Sequence, residues 1–400
     1  MVINKQKLII LFTVFVDVIG IGVIIPILPF YVESFGASPL MVGLLFGVYS
    51  FFSFFSGPLL GSFSDRRGRR PVLIISILSS AIGWLVFASA KSIFFLFLGR
   101  IIDGLAAGNF STAQSYLSDI AKNDKERTTN LGLVGAIFGI GFIIGPMLGG
   151  FLGSISETLP FWFVGGLAFL NTVSAFLFLP ETLKERQHEK ISFNPFSPIK
   201  KALKDKKLRP NYISWFLFGL AATGMQSIFS LYLEKVFGFG SSTIGLFMAA
   251  MGVVMVLNQG IGLKHFWLKY FSEPKLELDM LLICTGGFLL LGSRNLTIML
   301  VGLLIMVLAQ SILRVVMTSQ AAGGAVLGER GEVLGILSSL SSIGAIAGPL
   351  IAGSIFMAHH RLPFVLSAFC MVLAFGVVWF YRRKLKEIKP VDDAGADILP

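Results

Sequence analysis

Twelve stretches of the chain are each apolar for about 20 residues, the length a helix needs to cross the hydrocarbon core of a bilayer. They lie at about 8–32, 41–63, 71–90, 93–118, 131–153 and 160–180, then at about 211–234, 242–263, 276–292, 296–320, 333–357 and 363–381. In lipid each backbone N–H and C=O must be satisfied inside its own segment, so such runs fold as helices. Composition agrees: 54% of residues are hydrophobic, only 14% are charged and 39 are phenylalanine, which no soluble globular chain of this size tolerates. The expected fold class is an all-α membrane protein of twelve transmembrane helices in two sets of six. The expected domains are an N-terminal half at 1–180, a connector at 181–210, a C-terminal half at 211–385 and a polar tail at 386–400. Pro195, Pro198 and Pro210 argue against one continuous helix through the Lys-rich connector.

A net charge of +11 invites nucleic-acid binding, but the basic residues sit in short loops between apolar runs rather than on one soluble face. No nucleic-acid partner is expected. When loops are assigned alternately to the two sides, only Lys91, Lys235, Arg294 and Arg361 fall on one side, and Arg100 and Arg314 lie inside spans. All other Lys and Arg lie with the N-terminus, the 61–71 loop, the connector and the tail, which predicts a multi-pass protein of the cell (inner) membrane with both termini cytoplasmic. Cys284 and Cys370 fall in apolar runs and the four histidines have no ligand spacing, so neither a disulfide framework, a metal site nor a cofactor is implied. The first run carries Asp17 and has no small-residue cleavage pattern, so a cleavable signal is not expected. No catalytic constellation is visible either, so an enzyme is not expected.

The chain repeats weakly at an offset of 203 residues: Arg127 matches Arg330, Gly141 matches Gly344, Gly145-Pro146 matches Gly348-Pro349, and Gly150 matches Gly353. Parallel repeats of this kind place a transporter's substrate site between two halves near the midplane. The halves differ at Asp65, which corresponds to Leu268, so the N-terminal half is expected to hold the gate chemistry.

Four motifs carry the chemistry. Gly61-Ser-Phe-Ser-Asp65-Arg66-Arg67-Gly68-Arg69-Arg70-Pro71 is a polar turn in which Gly61 and Gly68 allow close approach and reversal, and Asp65 can pair with an arginine or a helix N-terminus. In the first span, Asp17 has no basic residue within a helical turn and is a credible proton carrier. Arg100 and Asp103 stand three apart in the fourth span, where a charge is by default functional, though the two can also neutralise each other as a structural pair. In the fifth span, Gly141, Gly145, Pro146, Gly149 and Gly150 present small surfaces and a kink, which packing alone also explains. Arg314 lies in the tenth span, either paired with Asp17 or Asp103 across the halves or free to bind an anion. Gln114, Gln226 and Gln310 join Asp17, Arg100 and Arg314 as candidate cavity residues.

The 61–71 loop resembles the cytoplasmic signature loop of the major facilitator superfamily of transporters. The 99–108 run resembles that superfamily's fourth-helix signature, and Gly145-Pro146-Met-Leu-Gly149-Gly150 resembles its antiporter signature. The first-span run around Asp17, with Arg70-Pro71, Gly99-Arg100, Ser118-Asp119, Pro160-Phe-Trp-Phe and Leu179-Pro180-Glu181-Thr182, looks like the tetracycline/proton antiporter branch of the drug-exporting families. The resemblance implies the major facilitator fold, a monomer, and a proton-coupled antiporter exporting amphipathic small molecules such as drugs or tetracycline-like compounds. It places Asp17 and Arg100 as first-helix acid and fourth-helix arginine, with Asp103 as the third group in proton coupling. It also makes Gly61, Asp65, Arg66, Gly68, Arg69 and Arg70 a cytoplasmic gate. The chain departs from the branch at Gly83-Trp84 and at Thr285 to Gly287, where the third- and ninth-helix acids are absent. Asp103 is the expected substitute for one. A symporter or facilitator importing an anionic metabolite through Arg100 and Arg314 is the alternative.

Overall fold

The computed structural model describes residues 5–105, 107–183, 196–325 and 330–388, and these are helices and short connections with no strand among them. The spans are Lys5–Glu33, Pro39–Arg67, Arg69–Ala88, Ile93–Asp119, Asp124–Ile155 and Leu159–Phe178, then Arg209–Phe237, Ser241–Tyr270, Glu273–Leu291, Leu296–Gly324, Arg330–Phe356 and Leu362–Ile388. Eleven are long and apolar enough to cross a membrane by composition alone. Glu273–Leu291 misses that standard because Glu273, Lys275, Glu277 and Asp279 crowd its first turns. The middle of the connector and the residues after 388 lie outside the described residues; of the connector, Ser197–Lys204 forms a short helix.

Local chemistry sets the span ends. Pro39, Pro160, Pro210 and Pro274 occupy first turns, where a missing N–H costs nothing. Asn123 caps the fifth span by accepting from the Glu126 N–H at 2.9 Å, and Lys7 Nζ reaches Glu126 at 3.2 Å, tying the starts of the first and fifth spans. Gly238 ends the seventh span at φ +68°. Two spans are irregular. The fourth is α-helical over Ile93–Leu105 and again over Asn109–Asp119, and the eighth runs as a π-helix over Asn258–Trp267, where Asn258 donates to Leu308 O at 3.1 Å and Ser311 Oγ at 2.7 Å.

Within each set of six, spans pack in matching ways: the first on the fifth and sixth, the third on the fourth and sixth, the seventh on the eleventh and twelfth, the ninth on the tenth and twelfth. The sets meet through the second and eleventh spans and through the fifth and eighth, two contacts that the repeat interchanges. Contact is tight at the end away from the 61–71 loop, here the far end. A Cβ on Gly43 would run into the Pro349 carbonyl, and one on Gly150 would meet Gly245 Cα at 2.8 Å. Ser230 Oγ donates across the sets to Ile25 O at 2.8 Å. At the loop end the same four helices stand apart: Gly61, Gly132, Gly135, Gly260, Gly331 and Gly335 have open space where a Cβ would be.

Candidate functional site

A cavity of about 250 Å³ lies between the two sets. The first, second and fourth spans supply Asp17, Phe46, Tyr49, Arg100, Asp103, Asn109 and Phe110, the third supplies Ser80 and Trp84, and the fifth supplies Phe138. The C-terminal set adds Thr223, Gln226, Ser227, Ala345 and Pro349. Most of the wall is aromatic or aliphatic, and its charges all come from the N-terminal set.

Those charges are joined in a chain. Asn109 Nδ2 donates to Asp17 Oδ1 at 3.2 Å and lies 3.5 Å from Ser80 Oγ, which donates to Asp103 Oδ1 at 2.8 Å. Asp103 Oδ2 is 3.3 Å from the Arg100 guanidinium. The guanidinium carbon lies 4.2 Å from the Trp84 ring centroid, 4.9 Å from Phe87 and 5.4 Å from Tyr49, so three aromatic rings wrap a cation already paired with an acid. Arg100 and Asp103 are 4% and 6% exposed, a burial that only such pairing permits. Asp17, by contrast, has an amide and no cation as its partner among the described residues. Asn109 stands where the fourth span restarts as a helix after the turn at Ala107 and Gly108. Breaks of this sort in transporter helices sit where substrates and ions bind.

Gly83 carries no acid for a steric reason. The third and fourth spans cross there so closely that a Cβ on Gly83 would meet Asp103 Cβ and the Gly99 carbonyl at 2.9 Å, and the carboxylate in this region belongs to Asp103.

Three expected cavity residues are not brought to this cavity. Gln114 lies one turn beyond Phe110 toward the loop end. Gln310 and Arg314 lie on the tenth span, whereas the C-terminal set lines the cavity only through its seventh and eleventh spans. Arg314 is exposed, and among the described residues its guanidinium has no hydrogen-bond or ion-pair partner. It pairs with neither Asp17, held by Asn109, nor Asp103, held by Arg100 and Ser80. Gln226 lines the cavity as expected.

At the loop, Gly68 adopts φ +109°, and a Cβ there would collide with the Glu181 carboxylate. Gly61 sits inside the second span in open space rather than at the reversal. Arg69 Nε donates to Asp119 Oδ2 at 3.0 Å and its NH1 to Ser64 Oγ at 2.7 Å and to Asp65. Glu181 accepts the backbone N–H groups of Arg69 at 2.9 Å and Arg70 at 3.2 Å at the N-terminus of the third span, while Asp65 takes the first of its two expected partners, a neighbouring arginine. Arg70 donates to Phe176 O at 2.7 Å. Every partner belongs to the N-terminal set or, in Glu181, to the residues that directly follow its last span. In the fifth span, Gly141, Gly145 and Gly149 lie against Val18, Gly22 and Val23 of the first span, and Gly150 lies against the eighth.

The sequence reading missed Asn109 and Ser80, which carry no charge to mark them, and gave no role to Asp119 or Glu181, although both stand in runs that carried the family resemblance. A family model described as Major Facilitator Superfamily matches residues 10–266. The chain belongs to this superfamily. Multidrug resistance protein 2 of Bacillus subtilis (strain 168) is 30% identical over 96% of this chain and 97% of that protein. Tetracycline resistance protein, class H, of Pasteurella multocida is 28% identical over 95% and 97%, and quinolone resistance protein NorA of Staphylococcus aureus (strain MSSA476) is 26% identical over 96% and 99%. Among solved superfamily-like folds, the human organic anion transporter MFSD10 superposes with a TM-score of 0.70 at 24% identity, covering 94% of this chain and 99% of that one. The nucleoside transporter NupG gives 0.77 at 15% identity, covering 95% and 100%. These two likenesses bear on the fold, which is the twelve-helix arrangement of the superfamily.

Proposed function

We propose that the protein is a proton-coupled antiporter that exports amphipathic, partly aromatic small molecules by alternating access, with Asp17 as the proton carrier. The observation that carries the reading is Asp17 itself, an acid in the wall of an aromatic-lined cavity with an amide and no cation for a partner. Such a carboxylate can exchange a proton for a cationic or hydrogen-bonding substrate. Full-length relatives named for resistance to several drugs, to tetracycline and to quinolones support export. Asn109, Ser80 and Asp103 extend the proton site toward Arg100, whose charge is spent on Asp103 and aromatic faces. The importer of an anionic metabolite has less support, because Arg100 is neutralised and Arg314 is not among the residues that line the cavity.

In this reading the halves are 1–180 and 211–385, the protein is a monomer in the inner membrane with both termini cytoplasmic, and the loop end is the cytoplasmic end. The described conformation is then open to the cytoplasm, with Arg69, Asp65 and their neighbours as gate residues released from the opposite half. The fifth-span glycines hold the first, fifth and eighth spans in the close packing that exchange without leak requires.

The test is transport of a lipophilic cationic dye and of tetracycline in everted vesicles, with and without an imposed pH gradient. Asp17→Asn keeps the shape and cannot ionise, so gradient-driven uptake should fall to background while the protein still inserts. Unaltered proton coupling in that variant would overturn the assignment.

A further inference from the structure

The far end is shut by packed glycines and, among the described residues, by one ion pair that crosses between the halves: Lys235 Nζ of the seventh span lies 2.6 Å from Glu33 Oε1 of the first. Beside Lys235 stands a second acid. Glu234 Oε2 is buried without a hydrogen-bond partner, and its carboxyl group is within hydrogen-bonding reach of Glu33. Two ionised carboxylates against one ammonium leave a net negative charge and two acceptors facing each other with no proton between them. A single proton resolves both problems, because one carboxyl then donates to the other while Lys235 balances the remaining charge. The other charged groups at this end do not replace that proton. Glu157 adds negative charge near Tyr31, Arg294, Arg361 and His360 gather about Tyr232, and the charged groups that act on Glu234 itself are Glu33 and Lys235.

We propose that Glu33, Glu234 and Lys235 form a proton-operated latch that holds the far end closed. Glu33 belongs to one half and the other two to the partner half, so opening the far end separates the acids and removes the reason to bind the proton. Closure therefore takes up a proton, and by linkage a rise in pH favours opening. The latch is separate from the cavity acid: Glu33 follows Asp17 by sixteen residues on one helix, about 24 Å along its axis. The latch rests on the alternating-access reading but requires neither a drug nor transport to be observed.

The experiment is a distance measurement between spin labels on Ser34→Cys and Ser242→Cys, both exposed at the far end, with Cys284 and Cys370 replaced by alanine and the full chain in lipid nanodiscs. From about pH 5 to about pH 9 the parent should shift from short to long distances, with the ratio of the two populations changing by at most about tenfold per pH unit, the limit for one proton. Glu234→Gln, whose amide donates to Glu33 at every pH, should stay short throughout. Glu234→Asp should still titrate, which controls for folding. A parent distribution that ignores pH, or a Glu234→Gln variant that titrates like the parent, would overturn the latch. Asp17→Asn in the same background should keep the titration while losing transport. If the parent exports nothing and the titration persists, the exporter reading fails and the latch stands.

Discussion

Arg100 and Asp103 neutralise each other in a place where neither can stand alone. Removing one partner of a buried pair typically costs about 3–5 kcal/mol, because the survivor keeps its desolvation penalty. Asp103→Asn should therefore lower the melting temperature in detergent, and adding Arg100→Gln should restore much of the loss. Equal melting of the single and double variants would mean that the pair does not hold the fold. At this scale the sequence was readable where charge made a residue conspicuous. Asp17, Arg100 and Asp103 stood out, and the spacing of the last two already announced a possible pair. Asn109 and Ser80 did not, because a hydrogen bond between different helices leaves no periodic trace. Arg314 was conspicuous by its charge as well, but the charge alone did not tell whether an acid or open space would face it, and among the described residues its guanidinium has no partner.

The elements hold a second charge arrangement that mirrors the loop network with its signs exchanged. In the N-terminal set the Arg69 guanidinium at the start of the third span pairs with Asp119 at the end of the fourth, and the Arg69 backbone N–H donates to Glu181 just beyond the sixth. In the C-terminal set, Glu277 at the start of the ninth span, wholly buried, accepts from Gln320 of the tenth at 2.9 Å and pairs with Arg382 of the twelfth. Arg382 also bonds Gln320 Oε1 at 2.8 Å. The comparison of halves by residue identity concealed this, since at the offset of 203 Arg69 falls on Ser272 and Glu277 on Ile74, so neither of these two has a charged counterpart in register. Arg382→Gln should strand Glu277 and lower thermal stability by about 3–5 kcal/mol, whereas Arg382→Gln with Glu277→Gln should recover most of it. A differential-scanning measurement on the parent, the single and the double variant decides the matter. The spans themselves were legible from apolar length, but the turn at Ala107 and Gly108 was not, because the apolar run continues through it and a glycine within a span is equally compatible with unbroken helix.

For the molecule as a whole, one set of glycines is pressed against backbone at the far end while another faces open space at the loop end. Gly43→Val would place a branched side chain on the Pro349 carbonyl, and no flexible neighbour is there to yield. The variant should favour the conformation open at the far end at every pH. Labelling of Ser241→Cys, buried in the closed far end against Gly150, by a membrane-impermeant maleimide should rise accordingly, and unchanged labelling would show that this crossing does not govern closure. Two halves and their repeat were visible in the sequence through Gly-Pro pairs 203 residues apart. Which end is shut was not, since both sets of glycines look alike until their neighbours are known.

The carboxylate of Glu181 closes the start of the third span, yet it lies past the last turn of the sixth, on what reads as linker. A genetic dissection of this transporter into two co-expressed polypeptides would therefore misfire if the cut were made where the apolar run stops. The N-terminal fragment must carry the chain through Leu183, so that it keeps Glu181 and the Thr182 hydroxyl that touches Asp119 at 3.3 Å. A fragment ending at Leu179 would leave the first N–H groups of its third helix bare and Gly68 with nothing to fit against.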